Sequence, residues 1–405
     1  MHLFNKAAHL FDKAAHLSDK AAHLFRPAAV RLPFPAALLA GCTAALLLQP
    51  AAAASAAPLA PGAERRDFPG GGTTTTLPLP TGHGLAPSTT RPFELLGVGW
   101  DGPAGAMDGG TVRVRTRDAA TGRWGDWHVL EADTEDGPDH APHGATAPLW
   151  TGRSDGVAVE VRPGPAGPPP GLRLELVDPG AGAPAPAATR TLPAEPAAPA
   201  DGGHQAPRPG IVTRAGWGAD ESLREPGFEY TGPVREVFVH HTATATAYEC
   251  SDAPQVIRAI YQYHVKTSGW RDIGYNFLVD RCGTIYEGRA GGVDQPVHGA
   301  HTLGFNTDSA GVAAIGTYIN DAPPQPLLDG IAAISAWKLG LTGQAADGHT
   351  KLTSASDASR YPKGTVVDFD AISGHRDAFK TECPGAALYA RLPALRTAAA
   401  KRQAQ

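Results

Sequence analysis

The sequence has no excess of positive charge: 35 Lys and Arg stand against 40 Asp and Glu, a formal net charge of −5. Without a basic footprint, nucleic acid is not an expected partner. It also lacks an apolar run long enough to span a bilayer. The best candidate, inside VRLPFPAALLAGCTAALLLQPAAAASAAP (30–58), is broken by Pro33 and Pro35 and falls short of the ~20 residues that a spanning helix requires. The first 29 residues repeat HLFNKAA, HLFDKAA, HLSDKAA and HLFRPAA. This seven-residue period keeps only one aliphatic position, so the second apolar seam of a coiled coil is missing. Cysteine is scarce, four in 405 residues. What is plentiful is glycine (48) and proline (38), which points to linkers and loop-rich modules. The length has room for about two or three domains.

The leader points to export. Arg31, an apolar run to Leu48 and small A-x-A sites around Ala52–Ala54 and Ala57 follow the order of a secretory signal. Val30 is the expected natural start, with 1–29 as upstream sequence. The expected location is secreted or cell-wall associated. Leu39-Ala40-Gly41-Cys42 resembles a lipobox, so the alternative is a lipid anchor on Cys42. Once Cys42 leaves or carries lipid, Cys250, Cys282 and Cys383 remain. Three is odd, so one is expected outside any disulfide.

Beyond the leader (1–57), residues 58–88 are rich in Pro, Gly and Thr, including GGGTTTT, and read as a flexible linker. Residues 89–182 alternate in short runs such as TVRVRTR and GVAVEVR. Period-two runs bounded by Gly, Pro and Asp predict antiparallel strands, hence a small β-sandwich. Its tryptophans, Trp100, Trp124, Trp127 and Trp150, read as core and hairpin packing rather than sugar platforms. Residues 183–208 read as a second, Ala/Pro-rich linker. Residues 209–400 mix strands and helices. EVFVH (236–240), 275–279, 284–286 and 311–318 are expected strands; 253–266, 327–339 and 386–399 are expected helices. The predicted class is α/β, a mixed sheet covered by helices.

Within this last segment, His240 and His241 end a strand, His375 follows Gly374, and Cys383 precedes Pro384. Imidazole and thiolate donors suit zinc, with water completing a catalytic site. The separation of His375 and Cys383 is long for a local zinc finger, so a distant strand would supply the third ligand. A Cys–His hydrolase with Cys383 as nucleophile and a buried thiol beside a surface histidine remain open on spacing alone. His264 lies on the packing face of its helix and reads as a core histidine. Glu287 reads as an ordinary hairpin carboxylate.

The stretches IVTRAGWGADES (211–222), VFVHHTAT, GWRDIGYNFLVDRCGTIYEGR, VHGAHTLGFNTDSAGVAAIGTY and ISGHRDAFKTECPG resemble the peptidoglycan recognition proteins. These type 2 N-acetylmuramoyl-L-alanine amidases have bacteriophage T7 lysozyme as a relative. The resemblance covers about 190 residues, and the preceding β-domain resembles the first module of exported actinobacterial members. It implies one zinc on His240, His375 and Cys383, and Tyr275 as the catalytic tyrosine. Thr381, which holds the position of a lysine in T7 lysozyme, is the second expected catalytic residue, helping Tyr275 stabilise the oxyanion. The resemblance further implies that His241, Trp270, Arg289, His301 and Asn306 bind substrate, the stem peptide and muramic acid of peptidoglycan. With Cys383 assigned to metal, Cys250 and Cys282 are left to pair. Members that do not cut commonly lack the cysteine ligand, so Cys383 favours an enzyme over a recognition protein. A monomer is expected.

Overall fold

The computed structural model describes residues 62–79, 84–131, 137–138, 143–196 and 203–404. The repeat, the signal segment and Cys42 lie outside them.

The described residues begin with eight strands: β1 (Glu64–Asp67), β2 (Thr73–Pro78), β3 (Gly84–Asp101), β4 (Thr111–Asp118), β5 (His128–Leu130), β6 (His143–Ala145), β7 (Leu149–Arg162) and β8 (Arg173–Asp178). All pair antiparallel in the order β1-β2-β8-β3-β7-β4-β5, with β6 on β3. The expected linker 58–88 is therefore corrected. GGGTTTT forms a turn and then β2, which pairs with β8 from Thr73 opposite Asp178. Glycines at 70–72 make the reversal, and β-branched threonines suit a pleated, half-buried surface. Composition points to a linker here, and β propensity overrides it.

Period-two alternation along β3 divides two cores. Leu96, Val98 and Trp100 face the interior of the β-domain with Val112, Val159 and Leu174. Leu95 faces outward, into a cluster that it shares with the next domain. Trp100 and Trp150 are buried, whereas Trp124 and Trp127 are half-buried on a hairpin; the packing expectation holds for the first two.

The second sheet comprises β9 (Thr191–Leu192), β10 (Ile211–Val212), β11 (Glu236–His241), β12 (Phe277–Val279), β13 (Ile285–Glu287), β14 (Ser309–Ala314) and β17 (Ile372–Gly374). Its order is β17-β11-β14-β12-β13-β10-β9, while β15 (His349–Thr353) and β16 (Val366–Asp370) form a separate hairpin. Parallel and antiparallel pairs coexist, as a mixed sheet requires. The expected linker 183–208 is corrected in part: β9 lies within it and closes the sheet edge against β10.

Six helices complete the domain: α1 (Arg214–Trp217), α2 (Ala253–Lys266), α3 (Gln325–Gly340), α4 (His375–Ala378), α5 (Ala386–Tyr389) and α6 (Leu392–Gln403). α3 and α6 pack on one face of the sheet, over Val237, Val239, Phe277 and Val312. α2 packs on the other, over Leu278 and Ala313. α2 matches its predicted span; Pro254 sits in its first turn, where no amide hydrogen is needed. The helix expected over 386–399 divides at Ala390–Arg391, because Pro393 starts a new first turn in α6.

The outer surface of α2 holds the β-domain. Tyr263 Oη donates to the Thr146 carbonyl at 2.9 Å, and Arg258 Nη2 to the Gly180 carbonyl at 2.9 Å. Gly97 lies flat under the Tyr263 phenol, leaving no room for a Cβ. Among the described residues no helix is long and apolar enough to cross a membrane.

Candidate metal centre

β11 and β17 are parallel neighbours, with Val239 opposite Gly374. The next residue in each case is His240, still on β11, and His375, the first residue of α4, so this register sets the two imidazoles side by side at the carboxyl edge of the sheet. Their ring centroids are 4.6 Å apart. Cys383 arrives by a tight return. Arg376 N–H donates to the Cys383 carbonyl at 3.1 Å, and Arg376 Nη2 to the Glu382 carbonyl at 2.6 Å. Asp377 pins the start of this loop, accepting from Gly374 N at 2.9 Å and from Tyr389 Oη at 2.6 Å.

One donor atom from each of His240, His375 and Cys383 lies within 4.8 Å of the others. His240 Nδ1 is 3.7 Å from Cys383 Sγ. A tetrahedral zinc with bonds of about 2.1 Å to nitrogen and 2.3 Å to sulfur sets its donors about 3.5 Å apart. The trio fits such an ion with small side-chain adjustment. Both imidazoles are 0% exposed and Cys383 is 5% exposed. Burial pushes His240 down to about 3, which keeps the ring neutral, as ligation requires.

The surroundings fix these donors. His241 N–H points at Cys383 Sγ, 3.4 Å away, a contact that favours thiolate. His240 Nε2 lies 3.3 Å from Thr302 Oγ1, which lies 3.0 Å from His301 Nδ1. This chain sets His240 to use Nδ1 toward the sulfur, the outer-shell arrangement that orients a metal-binding imidazole. Sequence reasoning does not single out Thr302; its position directly after His301 is the one signal that could find it. Tyr275 stands on the same side, its ring 5.5 Å from that of His240. Thr381 Oγ1 accepts from Cys383 N–H at 2.9 Å. Its hydroxyl thus shapes the ligand loop.

Several residues expected to meet substrate are covered. Asn306 Oδ1 accepts from His301 N and Thr302 N at 2.8 and 3.0 Å, and its Nδ2 donates to the Gly137 carbonyl at 3.0 Å. Gly137 belongs to the β-domain. Its φ is +129°, and a Cβ there would lie 2.9 Å from the Trp270 ring. Trp270, His301 and Asn306 are buried. Their expected role as an open groove is corrected for this conformation: the β-domain lies against Trp270 and Asn306, and the polar groups of Asn306 brace a turn. Arg289 is half-buried and donates through Nη1 to the His298 carbonyl at 3.0 Å.

His264 is a core residue, as predicted. Its Nδ1 accepts from Gly274 N–H at 3.2 Å, its ring lies 4.3 Å from Trp270, and burial holds it down to about 3. Glu287 is likewise structural, accepting from Arg214 N–H at 3.1 Å. Cys250 and Cys282 form a disulfide, and Cys383 is buried outside any disulfide.

His241, one residue beyond His240, turns to the opposite side of β11. It lines a cleft of about 1200 Å³ between the two domains. The β-domain wall includes Asp118, Arg123 and Trp124; the other wall includes Thr246, Arg281 and Asp321.

Two family models match the chain: one described as Rv3811 N-terminal galactose-binding domain-like over residues 49–200, and one described as N-acetylmuramoyl-L-alanine amidase over residues 230–386. The chain is 33% identical over 181 residues to a peptidoglycan recognition protein of Trichoplusia ni, covering 44% of this chain and 84% of that protein. It is 33% identical over 186 residues to a human N-acetylmuramoyl-L-alanine amidase, covering 45% of this chain but 27% of that protein. Among solved structures it is similar to Drosophila PGRP-LB, at 28% identity and a TM-score of 0.35, covering 45% of this chain and 91% of that one.

Proposed function

Because this chain belongs to the peptidoglycan recognition protein family, we propose that it is an exported zinc amidase. It hydrolyses the amide between the lactyl group of N-acetylmuramic acid and L-alanine in peptidoglycan. The observation that carries this reading is the complete donor set: His240, His375 and Cys383 converge within 4.8 Å. The disulfide between Cys250 and Cys282 supports an oxidising compartment, since such bonds are rare in the cytosol.

Zinc, when bound, supplies Lewis-acid chemistry, lowering the pKa of a water and polarising the scissile carbonyl. The chain supplies the rest. His240 is held neutral by burial and its Nε2 lies against Thr302 Oγ1, so Nδ1 is the nitrogen turned to the metal position. The His241 amide steadies the Cys383 sulfur. The Tyr275 ring, 5.5 Å from that of His240, supports its phenol as the hydrogen-bond donor to charge developing on the carbonyl oxygen. Exclusion of bulk water from these buried side chains strengthens each of these interactions.

The test is digestion of purified sacculi with mass spectrometry of the products and zinc content measured in parallel. The expected result is release of stem peptides with free N-terminal alanine, abolished by chelator and restored by zinc. Binding to sacculi without release, at full zinc occupancy, would overturn hydrolysis in favour of recognition alone. Inactivation by alkylation but not by chelation would instead point to Cys383 as a nucleophile. One observation favours the recognition reading: the β-domain lies against Trp270 and Asn306.

A further inference from the structure

The cleft between the domains is unused by the mechanism above, yet it reaches to within one residue of the metal trio through His241. Pockets for small ligands occupy about 300–1,000 Å³. This one, at about 1200 Å³, suits a length of polymer better than a single small molecule. Its walls carry hydroxyls, the indoles of Trp124 and Trp150, and charges of both signs, with no concentration of either sign. That is a surface for a neutral, hydroxyl-rich ligand rather than for an anion or a basic peptide.

One wall is built rigidly. Arg113 and Arg115 lie over the Trp127 ring at 5.2 and 4.9 Å, and Arg115 also lies over Trp124 at 5.2 Å. This stack ends with Trp124 on the cleft. The turn that carries it is tied down: Asp118 N–H donates to the Arg123 carbonyl at 2.9 Å, and Asp118 Oδ1 accepts from Thr121 N at 2.7 Å. An aromatic ring held in place before ligand arrives loses little entropy on binding, and its apolar face can cover the C–H face of a sugar ring. The sequence favours hairpin packing for Trp124; the structure places its ring at a lined opening.

We propose that the interdomain cleft binds the glycan strand of peptidoglycan, with Trp124 as a stacking platform and the β-domain as one wall of the substrate site. This rests on the reading that peptidoglycan is the ligand. The β-domain then selects polymeric substrate by holding the sugar backbone beside His241.

The test is binding of glycan strands stripped of their stem peptides to full-length, metal-free protein, followed by calorimetry. Without stems or metal, no cleavage step enters the readout. Trp124→Ala should weaken binding about tenfold or more, and Trp124→Phe, which keeps a ring, by much less. Ala247→Trp, at an exposed position on the opposite wall, should weaken it independently by filling the cleft. Thermal unfolding identifies any variant that fails to fold. Unchanged binding in both Trp124→Ala and Ala247→Trp would overturn the proposal, as would absence of glycan binding by the wild type. Loss of amide hydrolysis with Trp124-dependent glycan binding intact would remove the amidase reading and leave this one standing.

Discussion

Thr302 is where single-residue chemistry is most exposed to test. It touches His240 at the nitrogen remote from Cys383. Outer-shell partners of this kind are worth about 10–100-fold in metal affinity. Thr302→Val should weaken zinc binding by that order, and Thr302→Ser should restore it; competition with a chromogenic chelator measures both. Tyr275→Phe should leave zinc content unchanged and lower kcat by roughly 10²–10³, the usual loss for one oxyanion donor. Glu236 offers a stability test. It begins β11 fully buried, and burial pushes its carboxyl well above the ordinary range, with Asp377 and Asp370 pushing the same way. The folded protein therefore holds this proton more tightly than the unfolded chain does. Glu236 contributes most to stability below the unfolded pKa of about 4.3 and loses that contribution as pH rises through the folded value. Glu236→Gln should stabilise the protein more at pH 8 than at pH 5, as read from urea unfolding.

Among the elements, the parallel pairing of β11 with β17 does the most for the site. It converts two histidines 135 positions apart in number into neighbours, because Val239 opposite Gly374 places His240 and His375, the first residue of α4, one step further along the chain. A slip of one residue would present His241 in place of His240 and turn the first donor to the other face. The loop running from β11 to α2 is stapled by Cys250–Cys282, with a sequence separation of 32. Chain entropy for a loop of that size gives about 3–4 kcal/mol. The double variant Cys250→Ser/Cys282→Ser should lose stability of that order in denaturant unfolding, with zinc content of the folded protein retained. In the C-terminal segment, Pro393 explains why one expected helix became α5 and α6.

For the whole molecule, the docking of the β-domain on α2 sets what the site can reach. Gly97 admits the Tyr263 phenol, and Tyr263 donates across the domain boundary to Thr146. A Gly97→Val variant overfills that contact and should cost about 1–3 kcal/mol. Calorimetry should show the β-domain melting ahead of the second domain in the variant, and both domains melting in one transition in the wild type. A single, unshifted transition in the variant would mean that this contact does not couple the domains. The same docking decides that Trp270 and Asn306 lie under Gly137 while His241 faces a cleft. Neither outcome could be read from motifs in the second domain, because the covering residue lies over a hundred positions earlier in the chain.

Local pattern was enough for the strand EVFVH, for α2 with its first-turn proline, and for the mixed sheet with helices on its faces, because these depend on periodicity and capping within a few residues. The donor trio was legible as candidates from residue chemistry, which left a Cys–His hydrolase and a buried thiol open, and it was the family resemblance that assigned His240, His375 and Cys383 to one metal. Composition misled at GGGTTTT, which pairs with β8 about a hundred residues on, and in 183–208, where β9 pairs with β10 across a nearby loop. Only the tertiary structure decided that Thr302 stands behind His240, that Thr381 shapes the ligand loop, and that two domains share one cleft. The physical reason for the first and the last is contact between segments distant in sequence, whose geometry is set by strand register and domain packing; the Thr381 contact spans only two residues, and the return of its loop to Arg376 orients it.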